Sequence, residues 1–386
     1  MSAGYDFDRV VERHGTWCTQ WDYVQDRFGV PGLLPFTISD MDFETAPEVL
    51  EALRGRLDHG VLGYSRWRQA DFLSAVTDWY ERRHETVVDP DWVVYGPSVI
   101  YQVSQLLRLW SRPGDGVVVH TPCYDAFPKV LAAHGRQLRG CPVGDAAALE
   151  RLLALPDTRV LLLCSPHNPT GRVWTEGELA HMARLCARYD VAVISDEIHA
   201  DLAHPPHRHR PWARHGTGRW AVLNSASKAF NIPALTGSYG IVRDEASREG
   251  YLRALKEADG LSSPAVLSLV GHIAAYREGE RWLAELRRYV HGNLRMVAER
   301  LAAAFPALGW EPPEAGYLAW IDLRTLSSAP FDDEALQREL IETEKVAVMP
   351  GTAYGAPGFV RLNVGCPRAK AEAGVAALVA ALRRVC

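Results

Sequence analysis

Trp220-Ala221-Val222-Leu223-Asn224-Ser225-Ala226-Ser227-Lys228-Ala229-Phe230-Asn231 is a short apolar strand that runs directly into two small hydroxyls and one lysine. Asn231, Pro233 and Gly237 keep the next segment irregular, so Lys228 stands where a strand ends and a loop begins. In open α/β sheets ligands bind outside the carboxyl ends of the strands. A lysine held there can be desolvated, can lose its proton and can form a Schiff base with an aldehyde. Ser225, three residues earlier, offers a hydroxyl to a phosphate. Taken alone the segment also reads as a surface lysine closing a strand, so its meaning rests on the chain around it.

From about residue 90 to 245 the pattern alternates strand and helix. Apolar runs of strand length occur at Trp92 to Tyr95, Val117 to His120, Val160 to Cys164, Val191 to Ser195, Ala221 to Leu223 and Tyr239 to Val242. Helical patterns at Val99 to Trp110, Tyr124 to His134 and Glu176 to Tyr189 lie between them. Continuous apolar strands alternating with helices predict an α/β fold with a mostly parallel sheet covered on both faces. No GxGxxG follows the first strand, so a dinucleotide fold is not indicated.

The flanks differ. Trp17, Trp21 and Tyr23 form an aromatic cluster in an amino-terminal arm, and Leu33 to Phe43 reads as a short strand ending in Asp40 and Asp42. Pro47 opens a helix through Leu57, and another follows from about Gln69 to His84. Trp282 to Phe305 is a long amphipathic helix, followed by strand Tyr317 to Leu323, helix Asp332 to Glu344, strand Gly358 to Val364 and helix Arg368 to Arg384. Residues 1–50 are expected to be the arm and part of a small domain, 51–285 a large domain, and 286–386 the rest of the small α/β domain.

Composition narrows the class. The 386 residues are 47% hydrophobic and 23% charged, with a net charge of −5. No basic run with interleaved aromatics suggests nucleic acid, and no apolar run approaches a membrane span. The amino terminus is polar, with no secretory h-region. Seven scattered cysteines with no CxxC suggest reduced thiols in the cytoplasm, without a zinc site.

The strand ends carry the candidate chemistry. Asn168, in Ser165-Pro166-His167-Asn168-Pro169-Thr170-Gly171, brings an amide to the sheet edge or serves its own turn. Asp196 leaves a buried strand in Asp196-Glu197-Ile198-His199. A pyridinium cofactor needs an ionised carboxylate at its ring nitrogen, and Asp196 fits that role, with His199 close enough to touch other ring substituents. Ser98 precedes the helix at Val99-Ile100, whose free N–H groups suit a phosphate, although Ser98 is also an ordinary N-cap. Tyr124 is either a stacking ring or a core aromatic. Arg361, inside an apolar strand, meets an anion bidentately or forms a structural ion pair. The stretch Ala203-His204-Pro205-Pro206-His207-Arg208-His209 reads as a solvated loop, because its prolines prevent an i, i+4 ligand pair and no carboxylate completes a metal site.

In this order the pieces resemble a fold-type I enzyme using pyridoxal 5′-phosphate, of the aminotransferase superfamily. Ser39-Asp40-Met41-Asp42-Phe43, His59-Gly60-Val61-Leu62-Gly63-Tyr64, Asp196-Glu197-Ile198-His199 and Ser227-Lys228-Ala229-Phe230-Asn231 are similar to the MalY/PatB group of carbon–sulfur β-lyases. Tyr95 to Val103, Leu235 to Ile241, Asp259 to Pro264 and Gly358 to Pro367 carry the likeness furthest, toward the MalY side of the group. The resemblance implies Lys228 as the Schiff-base lysine and Asp196 as the ring-nitrogen partner. Asn168 and His199 would lie near the ring hydroxyl and Tyr124 would stack on the ring. The Val99 and Ile100 amides, with Ser225 and Ser227, would hold the phosphate. Tyr64 would reach the phosphate from a second subunit, which implies a homodimer, and Arg361 would hold the substrate α-carboxylate. Ala226 stands where the near relative has glycine. The expected activity is α,β-elimination of L-cystathionine or a related cysteine S-conjugate to thiol, pyruvate and ammonia. An aminotransferase on the same scaffold would use the same residues, and a MalY-like regulatory protein binding a transcriptional activator is the reading of another class.

Overall fold

The computed structural model describes residues 4–327 and 330–386. In chain order its strands are β1 (Leu34–Phe36), β2 (Val93–Gly96), β3 (Gly116–Thr121), β4 (Gln137–Pro142), β5 (Thr158–Cys164), β6 (Ala192–Asp196), β7 (Trp220–Asn224), β8 (Ser238–Val242), β9 (Leu318–Asp322), β10 (Val346–Pro350) and β11 (Phe359–Asn363).

The chain divides into two units. One comprises Thr45–Asn168 and Arg172–Leu283. Its seven-stranded sheet has the order β2-β8-β7-β6-β5-β3-β4. All pairings are parallel except those of β8, which runs against both β2 and β7. The apolar runs of β5, β6 and β7 are fully enclosed, as strands covered on both faces must be. The helix Val99–Trp110 buries Val99, Val103, Leu106, Leu107 and Trp110 along one stripe. Thr175 and Glu178 form a reciprocal capping box that starts Glu176–Arg188.

The other unit comprises Met1–Glu44, Pro169–Gly171 and Ala284–Cys386. Its sheet has the order β1-β10-β11-β9, with β1 parallel to β10 and the other pairs antiparallel. Leu294, Val297, Ile321, Val348, Leu362 and Leu378 belong to its core. The two carboxylates of the Ser39–Phe43 stretch fasten the arm. Arg13 reaches Asp40 and Asp42 at 2.7 Å each, Trp21 Nε1 donates to Asp42 at 2.9 Å, and Lys370 pairs with Asp42. Burial would push the Asp42 carboxyl up, but Lys370, Trp21 and Arg13 outweigh it and hold it below the usual carboxylate value.

Several elements depart from expectation. The strand expected over Leu33 to Phe43 stops at Phe36. The helix expected over Asp332 to Glu344 is α-helical over Asp333–Arg338 and widens to π turns over Glu339–Thr343. Strands β4 and β10, and the helices Ala146–Leu153, Glu245–Arg253 and Val266–Glu278, were not foreseen. No helix among the described residues is long and apolar enough to cross a membrane.

Candidate active site

Parallel pairing aligns the carboxyl ends of β5, β6 and β7. Cys164 stands opposite Asp196, and Asp196 opposite Leu223. Just past the ladder, Ser165 N–H donates to Asp196 O at 2.9 Å and Glu197 N–H to Leu223 O at 2.8 Å. The turn bearing Asn168, the turn bearing His199 and the loop bearing Lys228 therefore leave the sheet from one edge. Strand β3, beside β5, ends at the same edge and leads to Tyr124.

Lys228 is half-buried in a tight loop closed by Phe230 N–H on Ala226 O at 2.9 Å and Ile232 N–H on Ser227 O at 3.0 Å. Asn231 turns the chain with φ +53°, a left-handed backbone that asparagine tolerates better than most residues. Asp196 is 4% exposed. Burial drives its carboxyl up to about 7, opposed by the Ile198 N–H at 3.2 Å and by the charge of Lys228. The adjoining Cys164 thiol is pushed up by burial and, next, by the charge of Asp196. Asn168 is buried and its N–H meets Cys164 Sγ at 3.4 Å; His199 is buried on the turn after Asp196. Tyr124 is half-buried, edge-to-face with Phe127 at 5.6 Å.

The helix start at Val99-Ile100 stands on the other side of the Lys228 strand. Antiparallel β8 begins with Ser238 opposite Gly96, the last residue of β2, and Ser238 Oγ donates to Gly96 O at 2.9 Å. The helix that follows β2 has Ser98 as its cap: Ser98 Oγ takes Tyr101 N–H at 3.1 Å and Ser98 O takes Gln102 N–H at 3.1 Å. The Val99 and Ile100 N–H groups have no intrahelical acceptor by helix geometry, so this turn can offer two donors to an anion. Ser225 is tied to the same corner. Its hydroxyl donates to Gly237 O at 2.8 Å, accepts from Ser227 N–H at 3.1 Å and meets His272 Nε2 at 3.1 Å. With its proton on that carbonyl, Ser225 gives a hydrogen bond to a phosphate only by turning away from Gly237, whereas among the described residues the Ser227 hydroxyl has no such tie.

Two expected site residues lie elsewhere in the chain. Tyr64 is fully exposed on the extended segment between the helices Pro47–Asp58 and Ala70–His84. Arg361 is buried in the unit of Ala284–Cys386, on β11, with Nη2 donating to Thr37 O at 2.7 Å and its guanidinium 4.6 Å from the Tyr354 ring centre.

A pyridoxal phosphate suits this edge on its own terms. A carboxyl held as high as Asp196 lacks a strong cationic partner, and a protonated ring nitrogen supplies one. The helix start offers amides that could hold a phosphate, and Lys228 an amine that could condense with an aldehyde.

Sequence reading missed the polar groups behind this edge. The histidine-bearing loop is not solvated throughout: His204 and His209 are 1% and 5% exposed, because His209 turns inward to Glu197. Neither the prolines nor the charge pattern of that loop carries a signal of that burial.

Comparisons with known proteins agree with the fold. Residues 31–378 match the family described as aminotransferase class I and II. Protein MalY of Escherichia coli (strain K12) is 56% identical, over 99% of this chain and 100% of its own length. Cystathionine beta-lyase PatB of Bacillus subtilis (strain 168) is 34% identical, over 98% of this chain and 100% of its own length. Cystalysin from Treponema denticola, solved with a pyridoxal 5′-phosphate cofactor, superposes with a TM-score of 0.93 at 27% identity, covering 100% of both chains. The pyridoxal-phosphate-bound C-S lyase from Staphylococcus hominis gives 0.91 at 27% identity over 99% of each chain.

Proposed function

From a chain that belongs to the class I and II aminotransferase family, and within it to the MalY/PatB group of carbon–sulfur lyases, we propose a pyridoxal-phosphate-dependent β-lyase that cleaves L-cystathionine or a related cysteine S-conjugate. The observation that carries this reading is the juxtaposition at one sheet edge of Asp196, the Lys228 loop and the open helix start at Val99-Ile100. The unit of Thr45–Asn168 and Arg172–Leu283 is the cofactor-bearing domain in this account.

Bound pyridoxal phosphate supplies an electron-poor ring that takes up the electron pair released at the substrate Cα. Asp196 keeps the ring nitrogen protonated, so that ring stays electron-poor. The Val99 and Ile100 N–H groups and Ser227 hold the phosphate, with Ser225 bracing the loop between them. Tyr124 would face the ring, and Asn168 and His199 would serve its hydroxyl. Arg361 grips the α-carboxylate, which fixes the substrate's orientation. Lys228 Nζ would hold the cofactor's aldehyde carbon and, when free, would take the Cα proton as general base. The Cα electron pair would then form a Cα–Cβ double bond as the Cβ–S bond breaks and its electron pair leaves with sulfur as thiolate; the released enamine would tautomerise to an imine, and water would hydrolyse that to pyruvate and ammonia. Tyr64, exposed in the single chain, serves the phosphate of a second subunit in a homodimer. Free cysteines, six of the seven buried, suit a reducing cytoplasm.

The test is an assay of purified, cofactor-loaded protein with L-cystathionine. Thiol and pyruvate appearing in equal amounts support the lyase. Amino transfer to a keto acid without thiol release replaces it with the aminotransferase reading. Capture of a protein partner that is unchanged in Lys228→Ala would mark a separate regulatory role.

A further inference from the structure

Asp196 and Glu197 are consecutive and point to opposite faces of the sheet edge, as residues at a strand end do. Glu197 is 0% exposed. Its Oε1 accepts from Ser195 Oγ at 2.9 Å and from Trp212 N–H at 2.8 Å, and its Oε2 meets His209 Nε2 at 2.8 Å. Three polar groups converging on one enclosed carboxylate make a pinned joint, because each would be left unsatisfied if it moved.

The other end of the same turn is fastened too. Asp201, 3% exposed, takes Trp79 Nε1 at 3.0 Å and meets His84 Nε2 at 3.1 Å, both from the helix Ala70–His84. The His84 and His209 rings meet edge-to-face at 5.4 Å, which joins the two anchors. Arg83, Tyr80, Tyr239 and Tyr276 also face this network, His215 lies within reach of the Glu197 charge, and that charge also bears on Asp196. Ile198, whose N–H holds Asp196, and His199 lie between the two anchors.

We propose that Glu197, clamped by Ser195, His209 and the Trp212 N–H, is a positioning residue that sets Asp196 against the cofactor ring, with Asp201 as the second anchor of the same turn. The segment His204 to Trp212 is thus a strap behind the active site. The inference rests on Asp196 being the ring-nitrogen partner.

The experiment measures two properties in wild type, Glu197→Ala, Glu197→Gln, His209→Ala and Asp196→Asn. They are the dissociation constant of pyridoxal phosphate from the refilled apoprotein and the pH profile of the visible absorption of the loaded protein. Glu197→Ala and His209→Ala are expected to weaken cofactor binding by at least ~10-fold, and to move the pH profile, through the loss of buried hydrogen bonds. Glu197→Gln is expected to stay within ~3-fold of wild type, because an amide oxygen still accepts from Ser195 and Trp212 and its NH2 can face His209. If Glu197→Ala does not fold, His209→Ala and Glu197→Gln decide. A normal dissociation constant and pH profile in variants that only melt earlier would overturn the proposal. If Asp196→Asn also leaves both unchanged, the assignment of Asp196 itself falls; if Asp196→Asn disturbs both and the Glu197 and His209 variants do not, only the clamp falls.

Discussion

Burial drives the Asp196 carboxyl up to about 7, and Lys228, from the loop after the adjacent strand, is the side-chain charge that opposes the rise. Burial thus makes ionisation of this carboxylate unfavourable, and under the proposed assignment a protonated ring nitrogen would relieve it.

In the cofactor-free protein this gives a pH dependence of definite sign. Asp196 has a folded-state value above its unfolded one, so its contribution is fully present below about pH 4 and is lost as pH rises through about 7. Asp196→Asn, which cannot ionise, is expected to make the apoprotein more stable than wild type at pH 8 by roughly 2–4 kcal/mol, with the gap closing toward pH 4. Urea unfolding across that range checks it. A gap that does not change with pH would contradict the assignment.

Asp42 carries the opposite sign. Lys370, Trp21 and Arg13 hold its carboxyl below the ordinary value despite burial, so its contribution is present above the unfolded value near 4 and disappears as pH falls through the lower folded one. Asp42→Asn should cost about 3 kcal/mol at pH 7, since two buried or half-buried cations lose their anion. The difference from wild type should shrink in denaturation below pH 3.

Two site residues should separate in steady-state kinetics. Lys228→Ala should lower kcat by about 10³-fold or more, as the loss of a general base does. Arg361→Lys keeps the charge but not the two-pronged grip, and should raise KM by roughly 10–100-fold with kcat little changed. A fall in kcat alone for the arginine variant would move Arg361 out of substrate binding.

The phosphate corner is testable without catalysis. Ser98→Ala removes the cap on Tyr101 N–H and should cost about 1 kcal/mol of stability while loosening cofactor binding several-fold. Gly237→Ala should be worse, because an added Cβ collides with Ser268 Oγ and disturbs the carbonyl that receives the Ser225 hydroxyl. Cofactor release followed by fluorescence measures both.

How far the chain could be read from its residues follows from where each residue's partners lie. Strands β5, β6 and β7 were legible because both faces are covered, so their sequences are unbroken apolar runs. Strand β4, Gln137–Pro142, is an edge strand with most side chains exposed, and no such run exists to find. The helix Val266–Glu278 is buried on several sides, with Ser268, Gly271, His272 and Ala275 all enclosed, so it lacks a polar stripe that would announce a period. The candidate site was legible because strand ends are marked by a change from apolar to polar. Glu197 and His209 were not: twelve residues separate them, and only the fold turns His209 back behind the sheet.

Lysine placement permits the most direct test. The chain has five lysines, at 129, 228, 256, 345 and 370. Borohydride reduction of the cofactor-loaded protein, followed by mass mapping of its peptides, should place the added pyridoxyl phosphate on Lys228 and leave the other four unmodified. A stable adduct on any other lysine, or none on Lys228 after full loading, would contradict the account.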